Sequence, residues 1–379
     1  MGTVEFQYTT GDNYKTLKPD LTIYDEMATP RRLKTQYAPR RIYFKLAKTW
    51  VAACKESHPA CTTHFSRELK GLRVIDCVTR NVAAAPKDCI YVALSYVWGM
   101  SGICDDPSSY TLPERLPLSV ENSIDATLML GYRYLWVDRY CIDQMNAADK
   151  HHQINQMGDI YSSAELTLIA AAGANSAHGL PGVVSERERF EHDVAIGRLR
   201  FVTTYGWAID EIYRSVWSSR AWTFQEGYIS RRRLYFTDTR LVYICETEVY
   251  CDAEWGCMPT GRESLAHLAE CLPSIYSKMG LAAGILREYT RRNLTFNSDA
   301  LNAIVGILNT LSKGRTPIFH TWGVTFGKIP IPKTVAQNRI GVPLIKTQNV
   351  LAIALHWIHT SPCHRRKAFP SWSPLGWEG

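Results

Sequence analysis

Apolar residues along this chain fall into short separate runs whose spacing switches between continuous and helical. From Ile42 to Cys54, the residues Leu46, Trp50 and Ala53 recur at helical spacing, and a strand-like Leu72-Arg-Val-Ile-Asp76 follows. Tyr91 to Trp98 is almost continuously apolar and rich in β-formers, as a strand covered on both faces would be. After a loop containing Gly99, Pro107, Pro113 and Pro117, Ser119 can cap a helix with the face Val120, Ile124 and Leu128 that ends near Gly131. Leu135-Trp-Val137 reads as a second strand. Ile154, Met157, Ile160, Tyr161 and Ala164 then mark a helix from about Ala147 to Ser163. Leu166 to Ala172 is a third strand, closed by the turn-rich segment Gly173 to Gly179. This alternation predicts an α/β fold with a mainly parallel sheet and crossover helices.

Beyond Ala172 the pattern is less regular. A charged stretch from Ser185 to Asp193 opens an excursion that runs to about Arg214. Trp217, Ala221, Phe224 and Tyr228 then form the stripe of another helix, and Leu234 to Thr237 with Leu241 to Cys245 reads as a hairpin. The remainder is expected to be mostly helical, most clearly at Leu301, Ile304, Val305 and Leu308 behind a Ser298/Asp299 cap. Residues 1–85 thus read as an N-terminal arm and helical lead-in, 86–246 as the core, and 247–379 as a mostly helical C-terminal region. Residues 1 to about 40, with Pro19, Pro30 and Pro39, are expected to form a loosely attached arm.

Composition narrows the class. The 379 residues are 46% apolar and 21% charged, which fits a protein with a substantial core. No apolar run approaches the roughly 20 residues of a membrane helix; Val350 to Leu355 is far too short. The first residues lack a basic-then-apolar leader, and Phe6 stands where myristoylation at Gly2 requires Ser or Thr. The eleven cysteines are odd in number and irregularly spaced, so reduced thiols in a cytoplasmic protein are expected. The net charge of +7 is spread over short, distant clusters such as Arg31-Arg32, Arg231-Arg232-Arg233 and Arg365-Arg366-Lys367. That layout describes a solvated surface rather than a nucleic-acid interface.

Candidate chemistry gathers where apolar runs end in polar side chains. Advancing ~100° per residue from the stripe Trp217/Ala221/Phe224/Tyr228 leaves Glu226 nearly opposite it, one turn from Trp222. Glu226 is then either a solvated surface glutamate or a cleft carboxylate that stabilises positive charge. Arg220 suits a carboxylate or phosphate through its planar fork. Asp138 follows the strand Leu135-Trp-Val137, at the carboxyl end where open α/β sheets bind ligands. Asp138 and Asp143 read equally as acid/base or ribose-binding groups and as helix caps held by turn hydrogen bonds. Ser95 and Tyr96 belong to a strand, where a hydroxyl satisfied by backbone is the simpler account. Cys54, His58 and Cys61 share a helix face at i, i+4 and i+7, with His64 three residues on, and sulfur and imidazole could converge there on zinc. A fourth ligand is not secured by the spacing, packing beneath the domain is the plainer reading, and no metal is assigned. Phosphate-binding, dinucleotide and nucleophile-elbow motifs are absent, and nothing marks Cys141 as an activated thiol.

Residues 91–230 resemble a complete fungal heterokaryon-incompatibility (HET) domain. The resemblance rests on Tyr91-Val-Ala-Leu-Ser-Tyr-Val-Trp-Gly99, Trp136-Val-Asp-Arg-Tyr-Cys-Ile-Asp-Gln144, Gln153-Ile-Asn-Gln-Met157 with Ile160-Tyr161, and Arg220-Ala-Trp-Thr-Phe-Gln-Glu226. The Cys54/His58/Cys61 spacing, Ser298 to Ala303 and Pro370-Ser-Trp-Ser373 extend it into the flanks. It implies an effector of non-self recognition and programmed cell death, working with other incompatibility proteins or as a homo-oligomer. Relatives often continue past the Pro370 block, so a small effector and a shortened member both stay open. A second resemblance, to Toll/interleukin-1 receptor (TIR) domains, implies a TIR-like or flavodoxin-like sheet. It also implies Glu226 as a catalytic carboxylate cleaving NAD, with NAD as substrate and no cofactor. Ser95, Tyr96, Trp98, Gly99, Asp138, Asp143, Gln144, Arg220 and Trp222 would then shape the pocket, Trp98 and Trp222 as stacking surfaces. The competing expectation is a non-catalytic module that kills by homotypic assembly.

Overall fold

The computed structural model describes residues 20–25, 38–62, 69–99, 112–187, 193–197, 199–204, 208–253, 278–313, 317–327, 355, 357–359 and 362–378. Gly2, Phe6, Arg31-Arg32, His64, Pro107 and most of the segment Val350 to Leu355 lie outside them.

The N-terminal half runs β1 (Asp20–Asp25), α1 (Phe44–Ser57), α2 (Pro59–Thr62), β2 (Arg73–Asp76), β3 (Asn81–Ala84), β4 (Tyr91–Ser95), α3 (Leu118–Leu130), β5 (Tyr134–Trp136), α4 (Asp138–Cys141), α5 (Ala147–Ser163) and β6 (Leu166–Ala170). It continues through β7 (Asp193–Ile196), β8 (Leu199–Thr204), α6 (Ala208–Arg214), α7 (Ala221–Ile229), β9 (Arg232–Phe236), β10 (Leu241–Cys245) and β11 (Val249–Cys251). The C-terminal part holds α8 (Lys278–Thr290), α9 (Asn302–Ser312), β12 (Ile318–Thr321), β13 (Val324–Gly327), β14 (His364–Arg365) and β15 (Trp377–Glu378).

One eight-stranded sheet, in the order β11-β10-β9-β6-β4-β5-β2-β3, carries the core. Its centre is parallel, with β9, β6, β4 and β5 side by side, whereas both flanks are antiparallel. The sheet is therefore mixed, not mainly parallel throughout. The difference follows from short connections: β2 to β3 and β9 to β10 to β11 are joined by tight turns, which permit only antiparallel pairing. Because strands of residues 73–84 and 249–251 join it, the sheet extends past both expected boundaries of the core.

Register explains why both faces are covered. Leu94, Leu168, Leu234 and Tyr243 form one cross-strand row and join Trp50 and Val51 of α1 in a single apolar cluster. The next row is Ser95, Ile169, Tyr235 and Val242, on the opposite face by the two-residue pleat. Ile169, Tyr235 and Val242 pack with Ile209 and Ile212 of α6 and with Trp217. Ser95 is the one small polar residue in that row.

Several elements differ from their pattern. The buried stripe of α1 is Ala47, Trp50, Val51 and Cys54, with Leu46 exposed, one position off the expected face. In α3, Pro117 is the cap and Ser119 is a buried helical residue, while Leu128 is exposed. The excursion before Arg214 forms β7 and β8, and β1 from the N-terminal arm pairs with β8. The C-terminal part adds two strand pairs, β12-β13 and β14-β15, to its helices. Among the described residues no helix is long and apolar enough to cross a membrane.

The element that matters most is α7. Its residues Ala221 and Phe224 pack with Ile285 and Tyr289 of α8 and Ile304 and Leu308 of α9. Burying an aromatic such as Phe224 contributes roughly 2–3 kcal/mol of transfer free energy, so this stripe fixes the rotation of the helix. The opposite side of α7 faces the sheet, not solvent. Gly158 of α5 and Gly306 of α9 let these helices close on each other: a Cβ on Gly158 would meet Gly306 Cα at 3.0 Å.

Candidate functional site

Two adjacent parallel strands, β4 and β5, end side by side, and each delivers a polar residue at its carboxyl end. Ser95 is the last residue of β4, and Asp138 follows two residues after Trp136 of β5. Glu226 comes from α7 and is buried at 5% exposure. The expectation of a solvated glutamate is thereby corrected. Trp217 lies in the turn before α7, so a helical phase counted from it is wrong, and the side opposite the stripe is covered by the sheet.

A short relay ties Glu226 to the sheet. Trp217 Nε1 donates to Ser95 Oγ at 2.7 Å, and Ser95 Oγ donates to Glu226 Oε2 at 2.5 Å. Gly227 lets the indole lie close, since a Cβ there would meet Trp217 Cη2 at 2.8 Å. Tyr161 donates to Leu94 O at 3.0 Å and stands beside the same carboxyl. Sequence reasoning placed Trp217 and Tyr161 on apolar stripes and missed their polar ends. A buried indole or phenol needs a partner for its N–H or O–H, and that was the available signal.

Asp138 is held differently. Trp98 Nε1 donates to its two oxygens at 3.1 and 3.0 Å, and the Arg139 backbone N–H donates to Oδ1 at 2.7 Å. Burial pushes its carboxyl up to about 6, against the pull of these hydrogen bonds and of the Arg139 and Arg220 charges. Asp138 nevertheless keeps some solvent-accessible surface.

Glu226 is pushed up to about 8, first by burial and then by the negative charge of Asp138. The two acids therefore feel each other across one small volume, and they shed their protons as a pair. Burial, followed by Asp138, also raises the Tyr96 hydroxyl well above its ordinary value, with Glu226 contributing. Among the described residues the buried Tyr96 Oη has no hydrogen-bond partner.

The remaining sequence candidates fall into two groups. Gln144 Nε2 donates to Asp138 O at 3.2 Å and braces it, and Arg220, the residue capping α7, acts on both acids by charge while its Nη2 donates to Thr295 Oγ1 at 3.3 Å. Trp98 is engaged with Asp138 through its indole N–H, and its ring lies under the Arg139 guanidinium at 5.8 Å. Gly99, at φ 76°, serves a tight turn where a Cβ would meet Asn175 Cβ at 2.8 Å. Asp143 Oδ1 accepts from the Met145 and Asn146 N–H groups at 3.0 and 3.2 Å, so its carboxylate holds the loop before α5. Trp222 turns toward the C-terminal helices and donates to Asp299 Oδ2 at 3.3 Å.

Comparison with known proteins covers this same region. Residues 91–226 match the family described as heterokaryon incompatibility protein (HET). Heterokaryon incompatibility protein 6, OR allele, of Neurospora crassa is 33% identical over 94 residues, which are 21% of this chain and 14% of that protein. The match thus spans a small part of the relative's length. No solved structure matches the chain. The matched stretch begins at the first residue of β4 and ends on the buried Glu226, so the part of the chain that is similar to the HET family is the part that carries Ser95, Asp138 and Glu226.

Proposed function

We propose that the chain is an effector of fungal heterokaryon incompatibility that acts in the cytoplasm and triggers cell death by hydrolysing NAD. The observation that carries this reading is the gathering of the buried Glu226, hydrogen-bonded to Ser95 at the end of β4, with the half-buried Asp138 just past the end of the adjacent parallel strand β5. The parallel strands β5-β4-β6-β9 follow the order second, first, third, fourth, as in flavodoxin-like doubly wound sheets, whose ligands bind beside the first strand at that edge.

The chemistry suits the groups present. Cleavage of the nicotinamide–ribose bond sends the bonding electrons to the nicotinamide nitrogen, which leaves neutral. Positive charge develops on the ribose, water adds at the anomeric carbon, and its proton is released. An ionised Glu226 stabilises that charge, as carboxylates do in glycoside hydrolysis. The cationic nicotinamide of bound NAD favours the ionised form, displacing the proton that burial otherwise holds on Glu226. Asp138, the more accessible acid, and the unpartnered Tyr96 Oη face the ligand.

The test is incubation of the purified full chain with NAD and chromatographic measurement of free nicotinamide, with Glu226→Ala alongside. Release by the wild type and its loss in a folded Glu226→Ala protein supports the proposal. Absence of release, or full killing of fungal cells by Glu226→Ala, removes the enzymatic reading and leaves a module that acts by assembly.

A further inference from the structure

The Glu226–Asp138 site makes no use of the Cys54-x3-His58-x2-Cys61 motif, and the fold gives that motif a partner the spacing did not reveal. Cys54 lies in the last turn of α1, His58 is the residue that ends it, and Cys61 lies in α2. Cys245 ends β10, the strand against which α1 packs. The three sulfurs and a ring nitrogen of His58 all lie within 4.8 Å of one another. Cys245 Sγ and His58 Nδ1 are 3.4 Å apart. In a tetrahedral zinc site, with Zn–S about 2.3 Å and Zn–N about 2.0–2.1 Å, neighbouring donors stand ~3.6–3.8 Å apart. The donors are therefore already near the corners of such a tetrahedron. We propose that Cys54, His58, Cys61 and Cys245 bind one Zn(II) in a closed structural site.

The surroundings fit an anionic metal–thiolate centre. Zn(II) displaces three thiol protons and, with neutral imidazole, leaves one net negative charge. Arg232, 2% exposed, directs its Nε to Cys54 Sγ at 3.3 Å and supplies the balancing charge. The same guanidinium donates through Nη2 to Cys61 O at 3.0 Å, fixing the short helix that carries a ligand. Backbone N–H groups of Thr247 and Glu248 point at Cys245 Sγ at 3.5 and 3.3 Å. Hydrogen bonds of this kind orient ligands in metal centres. Simple packing of three small thiols needs neither a buried guanidinium at sulfur nor converging backbone donors. All three cysteines are free thiols. With four protein ligands the site has no open position, so it would clasp the N-terminal helices to the sheet and not perform chemistry.

The experiment is elemental analysis of the purified, dialysed full chain, followed by cobalt substitution of the chelator-stripped wild type. About one zinc per chain is expected, with cobalt giving the visible bands and sulfur charge-transfer absorption of a tetrahedral thiolate site. Cys245→Ser is expected to lose at least tenfold in zinc affinity while Cys363→Ser, distant in sequence from the cluster, retains it. Three outcomes overturn the proposal: no metal and no cobalt bands in the wild type, zinc held equally well by Cys245→Ser, or a Cys54–Cys245 disulfide in unreduced protein.

Discussion

Replacing Glu226 by glutamine is expected to remove a pH-dependent burden from the fold. Raising the carboxyl from its ordinary 4.5 to about 8 makes ionisation cost about 5 kcal/mol more in the folded than in the unfolded chain. The folded state holds the proton over this window and the unfolded chain does not. Stability linked to Glu226 is therefore complete below about pH 4.5, falls as pH rises toward 8, and levels off above it. Between pH 5 and 7 the loss amounts to roughly 2–3 kcal/mol. Asp138, raised from 3.8 to about 6, adds a decline of the same sign that is complete sooner. Glutamine keeps an acceptor for the Ser95 hydroxyl but cannot ionise. Urea unfolding of both proteins from pH 5 to 9 should show near-equal stability at pH 5 and a widening advantage for Glu226→Gln up to about pH 8. Curves that stay parallel within about 0.5 kcal/mol would refute the raised carboxyl and the coupling built on it.

Ser95→Ala strands the buried Trp217 Nε1 and the Glu226 carboxyl, so urea unfolding at pH 5 should show a loss of about 1–3 kcal/mol; an unchanged midpoint would mean that the relay contributes nothing. Gly227→Ala should also destabilise, by about 1–3 kcal/mol, because its Cβ meets Trp217 Cη2 at 2.8 Å, outweighing the ~1 kcal/mol gained in helix propensity. A change in near-ultraviolet circular dichroism should accompany it, and a more stable variant would contradict the close approach. Asp143→Ala should cost about 0.5–1.5 kcal/mol in urea unfolding, since its carboxylate accepts two backbone N–H groups of the loop turn; an unchanged midpoint would mean that the turn does not depend on it.

Much of the architecture was legible because it rests on local patterns. The continuous apolar run at Tyr91 gives β4, the 3.6-residue stripe gives α5 over 147–163, and the turn at Asp238 joins β9 and β10. The stripe of α1 reads one position off because Leu46, Trp50 and Ala53 fit helical spacing as well as the buried Ala47, Trp50, Val51 and Cys54 do, and packing against the sheet decides between the two faces. Strands β7 and β8 were hidden in a charged, irregular stretch, where pairing with β1 supplies the partner. In the site, Ser95 and Asp138 were visible as polar ends of apolar strands. The separate fates of Asp138 and Asp143, in near-identical sequence settings, were not. One is gripped by the Trp98 indole, and the other by its own loop.

By itself the sequence determined which residues carry polar chemistry and the local periods that make strands and helices. Only the tertiary structure decided what stands opposite each face. Helix α7 shows the reason: periodicity relates side chains within one element and is silent about its neighbours. A second apolar layer from α8 and α9 takes the stripe, which turns Glu226 onto the sheet and into the field of Asp138. Cys245 meets Cys54, His58 and Cys61 for the same reason, through a contact between distant segments that no local spacing encodes.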